Sequence, residues 1–250
     1  MARRRFFVEE VRGGRARIEG DAAHHLTRVL RVERGQQFEI SDNETVYLAE
    51  IESARKDLVS FAVLEKLQAI EPSVHVSVYA ALIRFERFEL LIEKATEMGV
   101  EAIVPVEAER SEKGLERAAV KRLERWRRIA REASEQSRRT RLPEIGKPVA
   151  FDEALRAGSG LRLALDELSD GTVPLLRALP DEKKAAAEVA LLIGPEGGWT
   201  EGERARFGET SWIRVSLGPE ILKTETAAIA ALAVLKAAWD AAAENRSEVK

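Results

Sequence analysis

The sequence contains no cysteine. That absence excludes disulfide frameworks, thiolate-ligated zinc and a cysteine nucleophile. Histidine is nearly as scarce. With only His24, His25 and His75 available, neither a multi-histidine metal centre nor a Ser-His-Asp site is expected, and no metal is assigned. Long hydrophobic runs are also missing: the longest, Ala227–Leu235, has nine residues, where a membrane span needs about 20. Arg3-Arg4-Arg5 leads into only three apolar residues before Glu9-Glu10, too few for a signal-peptide core. The expectation is a soluble, cytoplasmic protein with no membrane partner.

Nor is there an excess of one charge. Lys+Arg number 40 and Asp+Glu 43, for a net charge of -3. The average hides a pattern. Residues 1–35 carry +4 and residues 110–147 carry +7, which leaves -14 on the remaining 177. Two basic zones on an acidic chain suit a local phosphate-binding footprint. In the second zone Glu112/Glu116 and Glu124/Arg128 sit at helical spacing, as on a solvated helix face. Arg138-Arg139-Thr140-Arg141 fits that face less well, since no acid follows until Glu144.

What is present is 45% hydrophobic residues and 250 positions, enough for one or two domains. Two periodicities divide the chain. Over residues 1–70, RFFV, RARI, QFEIS, TVYLAEI and LVSFAVLEK alternate like short strands. They are interrupted by a helix over Ala22–Arg31 with Asp21 as N-cap, which would align His24, Arg28 and Arg31. A compact β-barrel-like module results, a shape that often carries RNA. Gln68–Ser73 reads as a linker, and residues 74–245 as the second domain. There, VHVSVYAAL, AIVPV, LRLALD, AEVALLIG and WIRVSL are buried-type strands. Helices over Glu86–Met98, about Glu116–Ser137 and Thr224–Ala242 complete an α/β layer with a mostly parallel sheet.

Two loops end strands in this second domain. AEVALLI runs into Gly194-Pro195-Glu196-Gly197-Gly198-Trp199, and Thr200-x-x-Glu203 then has the form of a capping box. WIRVSL runs into Gly218-Pro219-Glu220-Ile221-Leu222-Lys223 before Thr224-Glu225-Thr226 opens a helix. Glycines at strand ends let backbone N–H groups approach a ligand. Neither loop is a P-loop or a GxGxxG turn, and Ile221 with Leu222 suits a flat heteroaromatic ring better than a triphosphate.

These residues carry a resemblance. LLIGPEGG followed by LGPEILKTETAAIAAL resembles the signature of SPOUT methyltransferases, specifically the 16S rRNA (uracil-N3) methyltransferase family, RsmE-like. HHLTRVLR, EKATEMGV with Pro105, ERS at 109–111 and EQSRRTRLPEI at 135–145 extend the likeness over nearly the whole chain. The family usually has a basic residue at Glu220, an arginine at Lys223 and a glycine at Arg138. The resemblance implies a PUA-like RNA-binding β-barrel joined to an α/β domain ending in a trefoil knot. It also implies a homodimer in which the partner completes each site.

The activity implied is S-adenosylmethionine-dependent methylation of N3 of a uridine in the decoding region of 16S rRNA (m3U1498), within the small ribosomal subunit. Donor contacts are expected from Leu165, Ile193, Gly194, Pro195, Gly197, Gly198, Ser216, Leu217, Gly218, Ile221, Leu222, Thr226 and Ala227. RNA contacts are expected from Arg5, His25, Arg28, Arg31, Arg138, Arg139 and Arg141. Removing the N3 proton and stabilising the anion points to a carboxylate and an arginine, Glu196 and Arg139. Part of the apolar seam Ala227, Ala228, Ala231, Leu232, Leu235, Ala238 and Trp239 is expected to meet the dimer partner near Arg204. The alternatives are a SPOUT enzyme for another RNA and a non-catalytic RNA-binding ribosome-assembly factor.

Overall fold

The computed structural model describes residues 4–69, 71–158, 160–168 and 170–248. They form two compact units. One comprises the chain up to Glu71 together with Arg131–Leu142, and the other Pro72–Ala130 and Pro143 onward.

In the first unit, strands β1 (Arg5–Phe7), β2 (Arg15–Glu19), β3 (Gln37–Ser41), β4 (Val46–Arg55) and β5 (Leu58–Leu67) hydrogen-bond in the order β1-β3-β4-β5-β2. Only β1 and β3 run parallel. Alternation builds the core. In β2, Ala16 and Ile18 point inward while Arg15, Arg17 and Glu19 face water. Phe6, Leu26, Ile40, Ile51, Val59 and Phe61 fill the interior beside them.

The helix expected here takes a different form. Helix α1 (Gly20–His24) is preceded by extended Glu19, and Asp21 lies in its first turn without capping it. It then widens into a π-turn over His25–Val29, where Leu30 N–H donates to the His25 carbonyl, and Arg31 at φ 49° ends it. An i to i+5 turn shifts side chains off the regular helical spacing, so His24, Arg28 and Arg31 do not share a regular α-helical face.

Residues 131–142 belong to this unit through polar contacts. Glu39, only 8% exposed, receives Arg5 at 2.8 Å and Arg138 at 2.9 Å. Ser41 Oγ donates to the Thr140 carbonyl, and Leu142 N–H donates to Asn43 Oδ1.

The second unit is a parallel sheet of β6 (Val74–Ala81), β7 (Ala102–Glu107), β8 (Glu144–Ile145), β9 (Val149–Ala150), β10 (Leu161–Leu165), β11 (Val173–Pro174), β12 (Ala187–Ile193) and β13 (Ile213–Ser216). Its order is β11-β13-β10-β12-β6-β7-β8, with β9 also on β7. Helices cover both faces, and their strands therefore read as continuous apolar runs. They are α2 (Phe85–Glu97), α3 (Leu115–Val120), α4 (Leu123–Gln136, which from Arg131 onward belongs to the first unit), α5 (Phe151–Arg156), α6 (Leu175–Ala178), α7 (Glu201–Glu209) and α8 (Thr224–Glu248). The single helix expected over 116–137 is broken. Arg122 N–H donates to the Ala119 carbonyl, a tighter i to i+3 bond, before α4 restarts at Leu123.

Most of the α8 seam is taken up within the chain, while Ala227 and Ala238 stay half-buried. Ala228, Ala231, Leu232, Leu235 and Trp239 are at most 1% exposed within this single chain, packed on the sheet with α2. An alanine-rich helix lets the sheet approach closely, so these residues close their own core and are not left for a partner. Residues 224–243 of this helix are long and apolar enough to span a membrane by composition, yet Leu232, Leu235 and Trp239 are taken up by the core.

Candidate functional site

Strands β10, β12 and β13 are adjacent, with β10 in the middle, and all three run parallel. Their carboxyl ends therefore lie side by side, the position where parallel sheets bind ligands. A cleft of about 500 Å³ opens there. Leu165, Ile193, Val215, Leu217, Leu222 and Ala227 supply apolar wall, and Gly194 and Gly218 bring main chain to its surface. Asp166, Glu167, Glu220 and the Thr224 side chain add polar groups.

The loops bounding the cleft are tied together. Thr224 Oγ1 donates to the Gly194 carbonyl at 2.9 Å, joining the start of α8 to the end of β12. Trp199 is fully buried and its indole N–H donates to the Leu165 carbonyl at 2.8 Å. A Cβ on Gly194 would come within 3.0 Å of that indole, so glycine is what lets the loop fold over its own tryptophan. Gly198 has φ 66°, and a Cβ there would collide with the Glu167 carboxylate at 2.0 Å. The capping box forms as the spacing predicts: Thr200 accepts from Glu203 N–H, and the Glu203 carboxylate accepts from Thr200 N–H. That carboxylate also takes the Glu109 N–H, which anchors β7's exit to the same helix end.

Beneath the cleft lies a charge network that periodicity could not reveal. Asp166, whose side chain is inaccessible to solvent, receives Arg204 and Arg214 at 2.9 Å each and the Leu168 N–H at 3.2 Å. Burial pushes this carboxyl upward, but hydrogen bonds from Arg204, Leu168 and Arg214 outweigh it and hold it below the ordinary aspartate value. Arg204 also holds Glu167 at 2.9 Å and donates to the Trp199 carbonyl. The only sequence signal was an acid directly after a buried strand, in LRLALD.

A matching family model covers residues 70–236 and is described as an RNA methyltransferase domain; another, an RNA methyltransferase PUA domain, covers residues 18–64. The ribosomal RNA small subunit methyltransferase E of Bacillus subtilis is 33% identical, over 87% of this chain and 88% of its own. The chain belongs to the ribosomal RNA small subunit methyltransferase E family. The Aquifex aeolicus member is 31% identical over 92% of this chain and 97% of its own. Among solved structures, the Neisseria gonorrhoeae member bound to S-adenosyl methionine superimposes with a TM-score of 0.85, at 27% identity over 95% of this chain and 98% of that one. A Legionella pneumophila protein in complex with the cofactor SAM gives the same score at 30% identity, with 95% and 98% covered.

In this member of the family, seven of the expected donor residues line the cleft: Leu165, Ile193, Gly194, Leu217, Gly218, Leu222 and Ala227. Asp166, Glu167, Val215 and Thr224 line it too and were not foreseen, and Glu220 was noted only as a departure. Six expected residues lie off the lining. Pro195 is buried, Ser216 half-buried, and Gly197, Thr226 and Ile221 are exposed, the last to 80%. Gly198 is buried behind the loop. Glu196 is exposed and paired with Arg87 at 2.7 Å.

Of the expected RNA contacts, His25, Arg28 and Arg31 stand exposed on and after the π-turn. Arg5 is largely buried on Glu39 and also donates to the Arg138 carbonyl. Arg138 holds the other oxygen of Glu39, Arg139 Nε donates to the Arg141 carbonyl, and Arg141 lies 3.6 Å from Glu71. Glu196 and Arg139, the expected catalytic pair, belong to different units.

Proposed function

We propose that this chain binds S-adenosylmethionine in the cleft at the ends of β10, β12 and β13 and methylates N3 of a uridine in the decoding region of 16S rRNA. The observation that carries the reading is the cleft itself, built from two glycine loops tied by Thr224, in a chain similar over 95% of its length to a donor-bound relative. The residues present fit the donor. Leu165, Ile193, Leu217 and Leu222 offer faces for a purine, and the Gly194 and Gly218 main chain can meet polar edges. Glu167 and Glu220 give the cleft the negative sign that a sulfonium and an ammonium require. Next to Thr224, Glu225 is buried with Oε2 lacking any hydrogen-bond partner among the described residues, an acceptor left for a ligand.

When bound, S-adenosylmethionine supplies an electrophilic methyl group. Uridine N3 carries a proton at neutral pH, so the protein must accept that proton and stabilise charge spread over O2 and O4. We assign acceptance to the Glu196 carboxylate, which Arg87 holds at 2.7 Å, and anion stabilisation to Arg139. His25, Arg28, Arg31 and Arg141 then hold phosphates. The first unit is read as a PUA-like barrel and the second as a knotted SPOUT domain, working as a cytoplasmic homodimer on the small subunit.

The test is incubation of the full chain with donor and 16S rRNA or small subunits, followed by nucleoside mass spectrometry. The reading expects 3-methyluridine at one site; methylation of another atom, or none on either substrate, would overturn it.

A further inference from the structure

The second unit carries a separate open cleft of about 950 Å³ that the donor site does not use. Phe85, at the start of α2, lies on one side, and Arg117, Ala118, Lys121, Arg122 and Arg125 of the α3–α4 corner line the other. The break between α3 and α4 is what groups these cations around one opening.

Arg122 is held in place. Its guanidinium sits 4.7 Å from the Phe85 ring centroid, and Nη1 donates to Glu89 at 3.1 Å. Stacking and one carboxylate together fix the plane of the group. Its other N–H donors make no hydrogen bond among the described residues. Arg125 grips the same Glu89 with two bonds, of 2.7 and 2.8 Å, so Glu89 serves as a common anchor for both. Those bonds, Arg125's first, hold the Glu89 carboxyl below its ordinary value. Arg117 is 92% exposed with Glu116 only loosely near at 3.6 Å, and Lys121 makes no ion pair among the described residues. Four cations face two acids. The surplus is positive, and half of it is preorganised.

We propose that this cleft is a binding groove for the phosphodiester backbone of the RNA substrate, extending the footprint onto the methyltransferase unit. A helix face evolved only for solubility would pair its cations along the helix. Here Arg122 and Arg125 reach across to Glu89 on another helix, and Arg122 leaves donors turned to a concave surface. Phosphate oxygens suit fixed guanidinium forks, and Arg117 with Lys121 supplies looser counter-charge. The inference rests on RNA being the substrate.

The test uses the full chain and an Arg117→Ala/Lys121→Ala variant, both positions exposed and away from the core. Affinity for transcribed 16S rRNA is measured from 50 to 200 mM salt. Each phosphate contact contributes roughly 0.7–0.9 to the log–log salt slope, so losing two should flatten it by about 1.4–1.8. Over that fourfold salt range, wild type should then lose about 7- to 12-fold more affinity than the variant. Donor affinity should stay that of wild type, and Arg117→Lys/Lys121→Arg should keep the wild-type slope. An alanine variant with unchanged slope and affinity overturns the inference while leaving the RNA reading standing. A wild-type chain that shows no salt-dependent RNA binding overturns the reading itself.

Discussion

Replacing Asp166 by alanine tests whether the cleft depends on the charge network beneath it. The carboxylate is inaccessible to solvent and serves Arg204, Arg214 and the Leu168 N–H at once. Those arginines are only 12% and 21% exposed, so water cannot replace what is removed. Breaking a buried pair by deleting one partner costs about 3–5 kcal/mol. At roughly 2–4 °C per kcal/mol for a chain this size, the melting point should fall by about 6–20 °C. Because Asp166 is held below its ordinary value, its contribution is present above about pH 4 and is lost as pH falls through the folded-state value. The variant should therefore also lose part of the wild-type acid sensitivity. Thermal melts from pH 3 to 7 and calorimetry with S-adenosylmethionine give both readouts. If Asp166→Ala and Asp166→Asn both melt within about 1 kcal/mol of wild type and bind donor equally well, the network is not what shapes the cleft.

Other outcomes follow from single contacts. Gly198→Ala, at φ 66° and facing Glu167, should cost about 1–2 kcal/mol and weaken donor binding. Gly197→Ala, whose Cβ would meet only the flexible Arg110 side chain at 3.3 Å, should stay within about 1 kcal/mol in a melt. Thr224→Val removes the hydroxyl that ties the loops and should cost about 1 kcal/mol with a several-fold loss of donor affinity, measured by calorimetry. Glu135 is pushed up to about 7, chiefly by burial, against the pull of Arg131 and the Phe7 backbone. A raised carboxyl stabilises the fold fully below about pH 4.5 and loses that contribution as pH climbs through 7, by up to about 3 kcal/mol. Glu135→Gln should flatten this limb and melt above wild type at pH 8.

Local rules carried the sequence a long way. Alternation located β2 and β3 almost to the residue, and the Thr200/Glu203 capping box was legible from spacing alone. Periodicity reports which side of a strand is buried, but not which strand lies next to it. Nothing in LRLALD or WIRVSL says that β10 and β13 pair, so the cleft's floor and Asp166 became visible only with the topology. The same limit hid Glu39. A single acid in QFEIS carries no sign that two arginines, one of them 99 positions away, converge on it. The neighbour of the α8 seam was illegible for a related reason, because an apolar stripe fits a sheet as readily as a second helix.

The sheet order also governs the protein's synthesis. Strand β6 pairs with β12 from Val74↔Ala187 to Ile193↔Ala80, so one edge of β6 stays open until more than a hundred further residues have been added. The first unit waits as well, since Ser41 and Asn43 find partners only at Thr140 and Leu142. A nascent chain therefore leaves the ribosome with neither unit closed, exposing Val76 and Val78 beside an unpaired edge that other chains could extend. The first unit closes once Thr140 and Leu142 emerge, and the second only when β12 arrives and α8 lies down over it. Arrested chains released before residue 187 should be protease-sensitive and aggregation-prone, while chains carried past α8 should resist digestion.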